Sequence, residues 1–220
     1  MIRLKVLVFV VLAVLAILAF AATMITVRLC ARLPSLHGRS ESRAFIDTTD
    51  TALGRAIAAR VAAHPGLSGV HALDEGRDAL AARILLARAA ERSIDAQYYI
   101  WHGDTAGTLL FDELRAAAQR GVRVRLLQDD NTTYGLDETL AALDAHPNIE
   151  VRLFNPFAIR WPRWVGYVAD FPRLNRRMHN KSFTVDNQAT IVGGRNVGDE
   201  YFGGGEGAGG FKTEVQHRGQ

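Results

Sequence analysis

Residues 177–196 read RMHNKSFTVDNQATIVGGRN, running from Arg177 to Asn196. The run MHNKSFTV alternates in polarity, Asp186-Asn187 is a turn pair, and QATIVGG reads as a second strand. The stretch therefore predicts a strand–turn–strand. A side-chain period of two puts His179 and Lys181 on one face. Imidazole beside ammonium makes a poor core and a good phosphate site. The lysine supplies fixed positive charge and disfavours a second charge on the ring, which leaves the ring nucleophilic. Gly193 and Gly194 allow close backbone approach to a ligand. Asn196 can donate an amide hydrogen bond to a phosphate oxygen, and Asp186 can orient the histidine or pair with a basic neighbour. A solvated surface hairpin explains His179 and Lys181 taken alone. The whole spacing favours a site.

Upstream, strand and helix patterns alternate. SIDAQYYIW reads as a strand, GTLLFDELRAAAQRG as a helix ended by Gly121, and VRVRLLQD as a strand. GLDETLAALDAHP then reads as a helix and IEVRLFNP as a strand. This order predicts an α/β fold with a mainly parallel sheet flanked by helices. Sites in such sheets form beyond the carboxyl ends of strands. DDNTTYG lies at one such end, and there Asp129 and Asp130 read as turn and cap residues rather than catalysts. Before the sheet, TALGRAIAARVAAHPG and LDEGRDALAARILLARAAERS read as helices, the second with Asp74 as its cap. FAIRWPRWVGYVADFPRLNRR mixes Trp161, Trp164, Tyr167 and Phe171 with five arginines and is interrupted by prolines. It shows no clean period and reads as a long loop, suited to a membrane interface, to stacking on single-stranded nucleic acid, or simply to folding its aromatics back on the core.

The amino terminus carries Arg3 and Lys5, followed by Val6 to Val27 without a charged residue. A helix of that length crosses a hydrocarbon core of roughly 30 Å. AFA at Ala19–Ala21 resembles a signal cleavage site, but the apolar run is long for a signal core, which favours an uncleaved anchor. Arg28 next to Cys30 argues against a lipoprotein signal. The flanking charges lean towards a cytoplasmic location for the carboxyl-terminal domain. The expected organisation is a cationic flank over 1–5, an anchor or signal over 6–27, a linker over 28–50, a catalytic half-domain over 51–202 and a Gly-rich tail over 203–220. The 220 residues carry a formal charge of +3, which suits anionic partners without choosing among them. A single cysteine rules out an internal disulfide, and no Cys/His cluster has zinc spacing.

The full spacing identifies a resemblance. His179-x-Lys181, Asp186 and the Gly193-Gly194-x-Asn196 turn resemble the HxKxxxxD motif of the phospholipase D superfamily. LPSLHGRS, YYIWHGD, RLFNPF and RMHNKSF are similar to the amino-terminal half of bacterial cardiolipin synthases, most of all the type-C branch. The resemblance implies a phospholipase D-like half-domain and phosphodiester transfer on anionic or zwitterionic phospholipids through a phosphohistidine. It implies His179, Lys181 and Asp186 as the catalytic set. Lys181, Gly193, Gly194 and Asn196 would bind substrate, and Asp186 would be more structural than chemical. No metal and no organic cofactor are implied. The protein is expected in the cell membrane, anchored by a single span.

Family enzymes pair two such motifs. Here His37, His64, His71, His102, His146 and His217 all lack a lysine two residues later. The expectation is a truncated form, either inactive alone or completed by a homodimer in which two copies of His179 meet. The alternatives are a single-motif homodimeric nuclease, which the anchor argues against, and a non-catalytic membrane module. Nucleic acid is not an expected partner.

Overall fold

A computed structural model describes residues 2–33, 35–37 and 41–203. Parts of the expected linker, and all of the expected Gly-rich tail beyond Gly203, lie outside the described residues.

The sheet belongs to a compact unit formed by residues 41–154 with the chain from Met178 onward. Its strands are β1 (Ser93–Tyr98), β2 (Arg123–Asp129), β3 (Ile149–Phe154), β4 (Lys181–Val185) and β5 (Ala189–Val192). Their order is β3-β2-β1-β4-β5. β1 pairs with β2, and β2 with β3, in parallel; β4 runs antiparallel to both β1 and β5. The sheet is thus mixed. The strand–helix alternation produces its parallel half, and the hairpin adds the antiparallel half. A hairpin turn reverses the chain directly, whereas parallel neighbours need a crossover.

Among the described residues, four α-helices belong to this unit: α2 (Ala52–Ala63), α3 (Gly76–Ala89), α4 (Thr105–Gln119) and α5 (Asp137–Asp144). The expected helix over TALGRAIAARVAAHPG is α2, capped by Thr51 Oγ1, which accepts from the Gly54 amide at 3.1 Å. α3 begins at Glu75 without a side-chain cap, not at the expected Asp74 cap. The core lies on one face of the sheet. Ile94 and Ala96, Val124 and Leu126, and Phe183 and Val185 are all buried there, as are Leu80, Leu110 and Leu114 of α3 and α4. The other face is polar, and on it Arg125 holds Asp95 through two bonds of 2.5 and 2.6 Å. That alternation of apolar and polar faces along each strand sets the register.

A second unit comprises residues 1–40 and 155–177. It holds α1 (Ile2–Cys30) and α6 (Arg163–Leu174). The segment Arg3–Leu29 has the length and composition to cross a membrane. Its Thr23 and Thr26 hydroxyls donate to carbonyls one turn back, at 2.8 and 2.9 Å, so neither is left unsatisfied in an apolar medium. The Trp/Arg-rich segment, expected as a loop, is instead largely the 12-residue helix α6. Its prolines had hidden the period. Pro162 sits at the amino-terminal cap, where no helical N–H is lost, and Pro172 follows a break in the helix at Asp170.

Candidate functional site

Four segments meet at one end of the sheet. Register pairs Tyr98, the last residue of β1, with Lys181, the first of β4, and Ser182 with Val192 at the end of β5. The carboxyl ends of β1 and β5 thus lie beside the amino end of β4. This is the end of the sheet at which α/β folds place their sites.

His179 is exposed, and the Lys181 side chain is buried. The Lys181 ammonium lies 3.3 Å from Nδ1 and 3.4 Å from Nε2 of His179, and also donates to the His179 carbonyl at 3.3 Å. The ammonium thus lies within reach of both ring nitrogens at once. Burial pushes the Lys181 ammonium below the usual lysine range. A phosphate arriving there would restore to the lysine the counter-charge that burial withholds.

Tyr99 was not legible as a site residue. Its ring packs 4.7 Å from that of His179, and the Lys181 ammonium lies 5.2 Å from its centroid. Tyr99 therefore supports both groups of the motif at once. The available signal was its position one residue past β1, at a strand's carboxyl end. The Tyr99 carbonyl also accepts from Thr132 Oγ1 at 2.5 Å, tying the loop after β2 to the same spot.

Asn196 is buried, and its Oδ1 accepts from the Ile100 amide at 3.2 Å. That bond assigns the carboxamide oxygen and leaves the Nδ2 group as the donor. Two further bonds hold the segment in place, Val197 N–H to the Ile100 carbonyl at 3.1 Å and His102 N–H to the Val197 carbonyl at 3.0 Å. Gly193 has φ 155°, and at neither Gly193 nor Gly194 would a Cβ meet an atom within 4 Å. Both residues face open space.

Asp186 is not brought to this place. It follows Val185, which pairs with Ile94 near the start of β1, so it lies at the opposite end of β4. Its fully buried carboxylate accepts from the amides of Glu91, Arg92 and Ser93 at 3.0, 2.8 and 2.8 Å. The expectation that Asp186 orients His179 or pairs with a base is corrected. Its acceptor capacity goes to backbone amides, and a strand length separates it from the ring. Asp186 and Asn187 take φ of 50° and 51°, the conformation of the tight turn that joins β4 to β5.

Asp129, read from sequence as a turn residue, has a second task. Its Oδ1 accepts from the Asn131 amide at 2.9 Å, and its Oδ2 accepts from the Met178 amide at 2.7 Å. The second bond fixes the backbone immediately before His179. Among the described residues, no group of three or more His, Cys, Asp or Glu is placed to hold a metal ion.

Comparison with known proteins places this geometry. The family described as "Cardiolipin synthase, PLD-like domain" matches residues 84–205. Cardiolipin synthase C of Escherichia coli K12 is 60% identical over 154 residues, 70% of this chain and 33% of that protein. The major cardiolipin synthase ClsA of Bacillus subtilis 168 is 33% identical over 136 residues, covering 62% of this chain and 27% of that protein. Among solved structures, NucT from Helicobacter pylori superposes with a TM-score of 0.43 at 20% identity, over 58% of this chain and 72% of that one. The chain spans about a third or less of the length of these curated relatives. The family match covers more than half of the chain and contains every strand and every residue of the candidate site, so the chain belongs to the cardiolipin synthase family with a phospholipase D-like domain.

Proposed function

We propose that this domain transfers a phosphatidyl group between alcohols through a phosphohistidine on His179. The observation that supports this reading is the buried Lys181 ammonium held 3.3–3.4 Å from both nitrogens of an exposed imidazole. In the first half-reaction a His179 ring nitrogen attacks phosphorus. The N–P bond forms as the P–O bond to the leaving glycerol oxygen breaks, and that oxygen takes a proton from a general acid. In the second, an acceptor alcohol returns a proton to that group, and its oxygen displaces the histidine from phosphorus. Lys181 and the Asn196 amide bind the non-bridging oxygens, where charge builds up in both transition states. Gly193 and Gly194 let the phosphate approach the backbone. Asp186 acts by position, holding β4 against β1. The scheme calls on no metal and no organic cofactor.

The phospholipid substrate follows from the kinship with cardiolipin synthases and from the apolar α1, which holds the domain at the cell membrane. The flanking charges favour a cytoplasmic side. For the general acid we propose a second histidine facing His179, which a homodimer in which two copies of His179 meet would supply.

The test uses the full chain in vesicles containing phosphatidylglycerol labelled in its phosphate. Label trapped on histidine, together with transfer to an added alcohol, is expected, and both should vanish in His179→Ala. Equal turnover by the variant would remove His179 as nucleophile. Nicking of plasmid DNA without lipid turnover would favour the nuclease. Vesicle binding without either activity would favour a membrane module.

A further inference from the structure

The proposed chemistry does not use α6. On this helix Trp164 and Val168 are 60% and 51% exposed. Trp161, just before the helix, is 78% exposed, and Phe171, past the break at Asp170, is 55% exposed. Trp164 and Val168 lie one turn apart on the same helical face, and the exposed Trp161 and Phe171 flank them in the chain. The opposite face is occupied. Gly166 is buried, and a Cβ there would lie 3.1 Å from Phe157 Cδ1 and 3.5 Å from Leu174 Cδ1. Tyr167 packs edge-on against Phe157 at 5.1 Å. The helix thus fills a small core with one side and leaves two of the three tryptophans of the chain outside it.

The neighbour of that stripe indicates its cover. α6 packs on the end of α1. Arg28 lies 3.8 Å from Asp170, and Arg28 and Ala31 border a small hollow with Gly166, Ala169 and Arg173. The apolar segment Arg3–Leu29 has 27 residues and is about 40 Å long as a helix, against a hydrocarbon core of roughly 30 Å. Its last turn therefore reaches the headgroup layer, and α6 lies at that level. Tryptophan side chains favour this layer, because the ring is apolar and its N–H finds a partner. Arg176, exposed just past the helix, suits its phosphates.

We infer that α6 is an interfacial helix, with Trp161, Trp164, Val168 and Phe171 seated in the headgroup–acyl boundary of the bilayer that α1 crosses. The inference rests on α1 being a span, and it gives the protein a second, in-plane contact with lipid.

The test reconstitutes the full chain in vesicles of phosphatidylethanolamine and phosphatidylglycerol whose acyl chains are brominated near the top or near the end. Tryptophan emission should be quenched more by the top-labelled lipid. It should be shielded from aqueous iodide, and W161F/W164F should remove most of the bromine-sensitive signal. The buried Trp101 remains as an internal reference. Quenching by iodide but not by lipid would overturn the inference, because the stripe would then face water. Protection from both quenchers with crosslinking between copies would overturn it in favour of a protein partner. Resistance of the chain to alkaline extraction reports α1 separately, and the histidine label reports the chemistry. A failure of either is thus distinct from a failure of α6.

Discussion

The two ends of β4 make opposite use of polar side chains. At the amino end, His179 is exposed, and its ring lies against an ammonium and a tyrosine ring. At the other end, Asp186 is fully buried and satisfied by three backbone amides. The lesson is that one contiguous motif divides into two tasks, the proposed chemistry at one end and construction at the other. The residues between them are a strand of about 3.3 Å per residue that keeps the tasks apart. The construction end is rigid because three amides converge on one buried charge. The chemical end keeps unused bonding capacity for a ligand.

That contrast can be broken by experiment. His179→Ala should lower turnover by at least ~10⁴-fold, as loss of a covalent nucleophile does. The urea midpoint should stay within error of the parent. A comparable fall in stability would erase the distinction. Asp186→Ala should do the reverse. It removes three charge-assisted bonds from a buried site and should cost about 3–5 kcal/mol of stability, read from denaturant unfolding. The protein that stays folded at low temperature should keep its turnover per mole.

Lys181→Met tests the boundary between the two ends. Affinity for a phosphate-bearing ligand should fall by ~10–100-fold, corresponding to one charge-assisted bond. Stability should move the other way. Burial holds the Lys181 proton less firmly than the usual lysine value of 10.5, so the unfolded chain binds that proton more tightly. The charged lysine therefore works against folding at neutral pH. That penalty fades as pH rises through the window between its lowered value and 10.5. Lys181→Met should then be more stable than the parent at pH 7, with the gap closing in that alkaline window. A gap that widens with pH would refute the sign. The smallest effect is expected from Tyr99→Leu, which loses one cation–π contact and the ring packing. About 0.5–1 kcal/mol should appear as a several-fold rise in KM with little change in kcat.

Much of the fold could be read because its local rules agree with one another. Strand and helix periods alternate cleanly from Ser93 to Phe154, and Asp186-Asn187 adopts the turn that such a pair favours. His179 and Lys181 could be read because period two fixes neighbours on a face. Tyr99 could not. Its contact with His179 joins residues 80 positions apart in sequence, through a pairing of β1 with β4 that no local pattern states. The hub role of Asp186 was hidden for the same reason, since its three donors lie more than 90 residues upstream. α6 escaped because prolines were counted without regard to position. At an amino-terminal cap or after a break, a proline is compatible with the helix around it.

Asp129 has one more implication. Its backbone pairs with Phe154, the last residue of β3, while its carboxylate holds the amide of Met178. The chain leaves the sheet at Phe154 and comes back towards it at Met178, three residues before β4, so a single aspartate fastens both ends of the excursion that contains α6. Closing a loop becomes only slowly more expensive with its length. By that term alone, a change in the length of the segment from 155 to 177 costs little at its base, where the backbone before His179 stays held. The place of the motif histidine is thus set by the clamp rather than by what the excursion contains.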